Sequence, residues 1–125
     1  MPIAHRRILL LGTENTDGSV AGVTTGTSQP IQANGAGLVA IYFRSVGTTS
    51  GGTVLIESAD WGPLEAPYSG TWGTVLSQAA SGFTGTAQLP VFITLSAFAW
   101  YRVRISATIT GGGTILVSAR DQAAA

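Results

Sequence analysis

The residues with the widest chemical range in this chain are one histidine, six carboxylates and six arginines. His5 stands directly before Arg6 and Arg7 and has no second histidine to work with. A catalytic triad or a zinc centre needs a histidine beside a nucleophile or further ligands, so this one reads as a solvated residue. The acids are Glu14, Asp17, Glu57, Asp60, Glu65 and Asp121. Asp60 and Glu65 share a stretch with Trp61, Tyr68 and Trp72. A glycosidase would hold two carboxylates about 5 to 10 Å apart in a cleft. The same acids beside aromatic rings could instead hold a sugar without cleaving it, and solvated loop acids are the simpler reading. Neither an EF-hand loop nor His-x-Glu occurs, and cysteine is absent, which removes disulfides and thiolate chemistry. The expectation is no metal, no cofactor and no enzyme.

The glycine runs at 47–53 (GTTSGGT) and 110–114 (TGGGT) resemble phosphate cradles only in composition. A phosphate loop needs a following lysine and a helix N-terminus, and the chain has no lysine. These runs read as hairpin turns. Arg102 and Arg104 alternate with apolar residues beside Trp100, and Arg44 occupies a comparable strand earlier. Arginine beside aromatics can grip single-stranded nucleic acid. A net charge of zero, however, gives no long-range pull on nucleic acid or an anionic membrane. The arginines therefore pair with acids such as Glu57 or face another protein, where arginine and tryptophan are enriched. Arg6, Arg7, Arg44, Trp100, Arg102 and Arg104 are the candidate partner contacts. Trp61, Tyr68 and Trp72 are either plugs beneath their loop or a ligand platform.

The elements that must carry these residues are strands. From Tyr101 the apolar positions are Tyr101, Val103, Ile105, Ala107 and Ile109, and strict alternation puts alternate side chains on opposite faces of a strand. Gly111 to Gly113 break that run, and 114–120 resumes it, so 100–120 reads as a β-hairpin. Residues 38–46 are apolar on both faces, as in a central strand, and 53–58 reads as the return strand. Further strands are expected at 3–13, 19–24, 29–32, 72–78 and 89–96. No stretch shows helical periodicity with caps. SGGTVLIESAD at 50–60 overlays GGGTILVSARD at 111–121 with an offset of 61 residues. The overlay is either a duplicated hairpin module or a common hairpin solution met twice.

Together these give an all-β chain, an antiparallel β-sandwich or jelly roll of about eight short strands. Residues 1–37, poor in large apolar side chains, form an extended arm and edge strands; 38–121 form the sandwich core; 122–125 form a frayed tail. A length of 125 residues suits one such domain. No apolar run reaches the roughly 18 residues of a membrane span, and Ile8 to Leu11 is too short for a signal-peptide core. A cytoplasmically made protein is implied.

The order of these pieces resembles the small β-sandwich modules of tailed-phage virions. The residues that carry the likeness are VAIYFRSVGTTSGGTVLIESAD, TWGTVL and WYRVRISATITGGGTILVSAR, across 39–120. The stretch Glu57-Ser58-Ala59-Asp60-Trp61-Gly62 departs from the family's Ser-x-Asp-Gly-Gly pattern, and a proline-rich insertion follows. The resemblance implies a capsid decoration (cement) protein on the virion surface. Such a protein binds the major capsid protein, typically as a homotrimer. The alternative it implies is a receptor- or carbohydrate-binding module of a tail tip or fibre, with Trp61, Tyr68 and Trp72 as the platform.

Overall fold

Alternating apolar and polar residues must pair with neighbours to satisfy their backbone and must bury one face. The computed structural model describes residues 5–33, 37–59, 71–82, 90–95 and 99–122, and in it both demands are met by two packed antiparallel sheets. The strands are β1 His5–Leu11, β2 Thr13–Glu14, β3 Val20–Ala21, β4 Ile31–Gln32, β5 Leu38–Val46, β6 Gly51–Ala59, β7 Gly73–Ala79, β8 Val91–Thr94, β9 Trp100–Thr110 and β10 Thr114–Gln122. One 3-10 turn, Ala80–Gly82, is the only helical element among the described residues. Sheet 1 runs β1-β10-β5-β8 and sheet 2 runs β4-β9-β6-β7, while β2 and β3 make a small ladder of their own. Setting that ladder aside, the eight remaining strands have the connectivity of a jelly roll.

The core lies between the sheets. Val39, Ile41 and Phe43 of β5 and Ile115, Val117 and Ala119 of β10 point in from sheet 1, and Val54 and Ile56 of β6 and Tyr101 and Val103 of β9 from sheet 2. Each valine, isoleucine or phenylalanine among them contributes about 1.5–3 kcal/mol when fully removed from water. Tyr101 also carries a polar link between the sheets: its hydroxyl donates to Oδ2 of Asp121 at 3.4 Å. Asp121 is fully buried, and Gln122 still pairs with His5. β10 thus includes residue 122, the first of the expected frayed tail, and 123–125 lie outside the described residues. Ala107, expected in the core row, is exposed, because the β6–β9 register shifts on both sides of Thr53, which pairs with it.

The hairpin expectations are corrected. β9 and β10 do not pair with each other; β9 lies in sheet 2 and β10 in sheet 1. The same holds for β5 and β6. Each glycine run is thus a corner that carries the chain from one sheet to the other. The two corners meet at one end of the sandwich, where the Ser50 amide donates to the Thr110 carbonyl at 2.8 Å. A Cβ on Gly113 would sit 2.6 Å from the carbonyl oxygen of Thr48. Close backbone approach, rather than hairpin geometry, is what these glycines supply.

The offset of 61 residues acquires a structural meaning. It carries β4, β5 and β6 onto β8, β9 and β10. Exchanging the two sets, with β1 and β7 also exchanged, turns the order of sheet 1 into that of sheet 2 read backwards. The first third of the chain supplies edges to this scheme. β1 flanks β10, and 24–33 runs along β9 through bonds at Thr24, Gly26, Ser28, the Ile31–Tyr101 pair and Ala33.

The corners give a direct test. Gly112 has φ of 92° but open space where a Cβ would stand, so Gly112→Ala costs only left-handed strain, about 1 kcal/mol. Gly113→Ala drives a methyl into the facing backbone and costs up to about 3 kcal/mol. Urea unfolding of both variants measures the difference, and equal losses would show that the corners do not constrain each other.

Candidate functional site

Each sheet has an outer face, and the two differ in how their charges are used. On sheet 2, β6 turns Leu55 and Glu57 outward and β9 turns Trp100, Arg102 and Arg104 outward, with Glu57 directly opposite Arg102 and Leu55 opposite Arg104. Arg102 Nε donates to Glu57 Oε1 at 2.9 Å. Arg104 donates to both carboxylate oxygens, through Nε and Nη2, at 3.2 Å each. The Trp72 ring, just before β7, lies under the Arg102 guanidinium at 4.5 Å, a cation–π contact that holds the fork in place. Glu57 is only 4 % exposed. Burial pushes its carboxyl up, but the hydrogen bonds from Arg104 and Arg102 and their charges outweigh that, so it titrates below the usual glutamate range.

Sheet 1 carries a groove of about 440 Å³, lined by Arg7, Leu9, Glu14, Tyr42, Arg44, Leu116, Ser118 and Arg120. Register explains the grouping. Arg7 stands opposite Arg120, Leu9 and Tyr42 flank Ser118, and Leu116 faces Arg44. Glu14 reaches the groove from β2. That strand is folded back by the turn at Asn15–Ser19, in which Asp17 Oδ1 accepts from the Ser19 amide at 2.9 Å and from its hydroxyl at 2.6 Å. The Asp17-Gly18 turn signal in the sequence marks this bend. Arg7 Nη1 donates to Glu14 Oε2 at 2.9 Å, and Nη2 donates to Oε1. The hydrogen bond from Arg7, with the charges of Arg7 and Arg44, holds Glu14 below the usual carboxylate range against a smaller effect of burial.

The candidates of the sequence thus fall in different places. Arg7 and Arg44 meet in the groove, where Tyr42, Ser118, Arg120 and Glu14 join them. Arg6 belongs to β1, but its side chain lies outside what the structure describes. Arg102 and Arg104 pair with Glu57, one of the two roles expected of them, while Trp100 is 7 % exposed and offers little surface. Trp61, Tyr68, Asp60 and Glu65 lie outside the described residues. Trp72 has a guanidinium on one face of its ring. The sequence reading missed Arg120 and Tyr42; their positions two apart from Ser118 and Arg44 on outward-facing strand phases were the available signal, but the register that unites them was not. Among the described residues no group of three or more His, Asp or Glu could hold a metal ion, and no helix is long and apolar enough to cross a membrane. Comparison with protein-family models, with curated proteins and with solved structures gives no match.

The Glu57 cluster makes a pH-dependent contribution. Because its carboxyl titrates lower folded than unfolded, the stabilisation is whole above the unfolded value of about 4.3 and is lost as pH falls through the folded one. Glu57→Gln should lower stability by about 1–2 kcal/mol at pH 7, a charged hydrogen-bond contribution discounted for the part-exposed arginines. Denaturant unfolding over a series of pH values from 7 downward checks this: the difference between the two proteins should be largest at pH 7 and shrink as pH falls below the unfolded value.

Proposed function

We propose that this protein is a non-enzymatic structural component of a tailed-phage virion, a head decoration (cement) protein that binds the major capsid protein. The observation that carries the reading is the outer face of sheet 1. Three arginines, a tyrosine and the exposed Phe92 share it, the composition of protein-contact surfaces rather than of a reaction centre. The fold supports it too. The segments that carry the virion resemblance form β5, β6, β7, β9 and β10, and β5 with β10 and β6 with β9 are the inner pairs of the two sheets. The charged groups on sheet 2 are occupied in holding that sheet together, a structural use of charge. A ring of three copies around a local three-fold axis of a shell, closed by head-to-tail contacts as a homotrimer, completes the reading. The receptor- or sugar-binding alternative rests on Trp61, Tyr68 and Trp72, and the Arg102 stack takes up one face of the only one of these rings that is described.

Shells assembled with and without the protein test the proposal. Shells that carry it should withstand higher temperature or force before rupture, and the free protein should sediment with them. Equal rupture points and no co-sedimentation would sink the idea. Light scattering on the purified protein checks the oligomer, with three copies expected.

A further inference from the structure

We infer that the outer face of sheet 1 is a docking site for an extended protein segment that presents a carboxylate to the groove and an apolar side chain to Phe92. The inference deepens the reading above, since it gives the surface and the chemistry of the partner. The whole chain is neutral, yet among the described residues the groove gathers three guanidinium groups against one carboxylate, a surplus of two positive charges in its lining. Glu14 already demonstrates what the concavity does to a carboxylate: it is gripped by the Arg7 fork and stabilised as the anion by Arg7 and Arg44. Arg120, directly across from Arg7 and exposed, faces the same space. Tyr42 and Ser118 add hydroxyls to its floor.

The groove is continuous with an apolar strip. One row of paired positions crosses all four strands: Arg7, Arg120, Ala40 and Phe92. Phe92 is 66 % exposed and Leu38, on the neighbouring row opposite Thr94, is 41 % exposed. Phe92 and Leu38 lie on adjacent outward rows of β8 and β5 and make a small apolar patch at that edge of the sheet. Arg120 and Phe92 are two strands apart, roughly 10 Å, which an extended chain covers in about three residues. A free phosphate or an acidic sugar would use the arginines and leave the strip uncovered. A nucleic acid would require basic groups along a track, and here they are confined to one end. A protein segment with an acid and an apolar side chain two or three residues apart matches both ends.

The probe is a blocked pentapeptide, Thr-Glu-Thr-Leu-Thr, titrated into the full chain and followed by amide NMR, with its glutamine analogue alongside. Expected are shifts confined to β1, β5, β8 and β10, weakening by about tenfold, one lost charge pair, on Arg44→Gln and with the glutamine analogue, and a larger loss on the charge reversal Arg120→Glu. Phe92→Ser should weaken binding of the glutamate peptide but not of inorganic phosphate. Arg120 and Phe92 are exposed, so these two variants keep their fold, and thermal unfolding verifies it. Thr108→Glu, exposed on sheet 2, should change nothing. Equal binding of the two peptides, or binding unaffected by Arg120→Glu, overturns the proposal. Phosphate or N-acetylneuraminate bound as tightly as the peptide makes this a small-anion site and overturns it too. Self-association abolished by Arg120→Glu would assign the face to a second copy, with the same consequence. Shell binding by these variants is a separate arm: a peptide result that holds while shells are not bound leaves the docking site standing and removes the capsid assignment.

Discussion

Among the described residues, and apart from the two-residue β2–β3 ladder, no strand pairing lies within one half of the chain. β1, β4, β5 and β6 come from the first half, and β7, β8, β9 and β10 from the second. Every ladder of the two main sheets joins one set to the other: β1 to β10, β10 to β5, β5 to β8, β4 to β9, β9 to β6 and β6 to β7. Backbone groups taken from water without partners cost more than the net worth of a hydrogen bond, so the halves are obliged to interlock. The glycine corners follow from this. Two chains that cross between the same pair of sheets at the same end must pass backbone against backbone, as at Gly113 and Thr48. The surfaces follow as well, because the interlock assigns residues 7, 44 and 120 to one face although sequence keeps them far apart.

The two outer faces divide the small stock of charge. Sheet 2 places its buried acid between two arginines and locks one of them over an indole, so most of its charge is satisfied internally. Sheet 1 leaves a positive surplus at one end and an exposed aromatic at the other. The cluster of buried Glu57 and its two part-exposed arginines ties β9 to β6. In β9 and β6 it reinforces the register that the apolar row of Tyr101 and Val103 already demands. Like charges gathered on one face carry a cost in self-repulsion, so the two faces differ in how their charge bears on the fold.

Much of the strand inventory was legible in the residues. Alternation located β9 and gave the inward set of Tyr101 and Val103, since a period of two is imposed by the backbone alone. β5 stood out as a run apolar on both faces, and the remaining strands, with the all-β class, came from short β-rich runs set between turn signals. What alternation cannot carry is the identity of the neighbour. Gly111 to Gly113 announce that β9 stops, and a hairpin and a corner between sheets both need such a stop. The difference lies in the partner of β10, which is β5 and β1, residues remote in sequence. The groove was half legible for the same reason. Arg7 and Arg44 stood out by type, and Glu57 was named as a partner for Arg102 and Arg104, but the register that adds Arg120 and Tyr42 is a property of the assembled sheet.

The place of β10 has a consequence for how the molecule comes into being. It is the last strand of the sandwich to leave the ribosome, yet it lies inside sheet 1, between β1 and β5. Two strands made much earlier must therefore wait, unpaired on their inner edges, until this segment arrives to be inserted between them. Synthesis and folding cannot proceed side by side here as they do in chains built from local pairs. Any product stopped short of β10 lacks one of the two inner strands of sheet 1 and leaves β1 without its neighbour in that sheet.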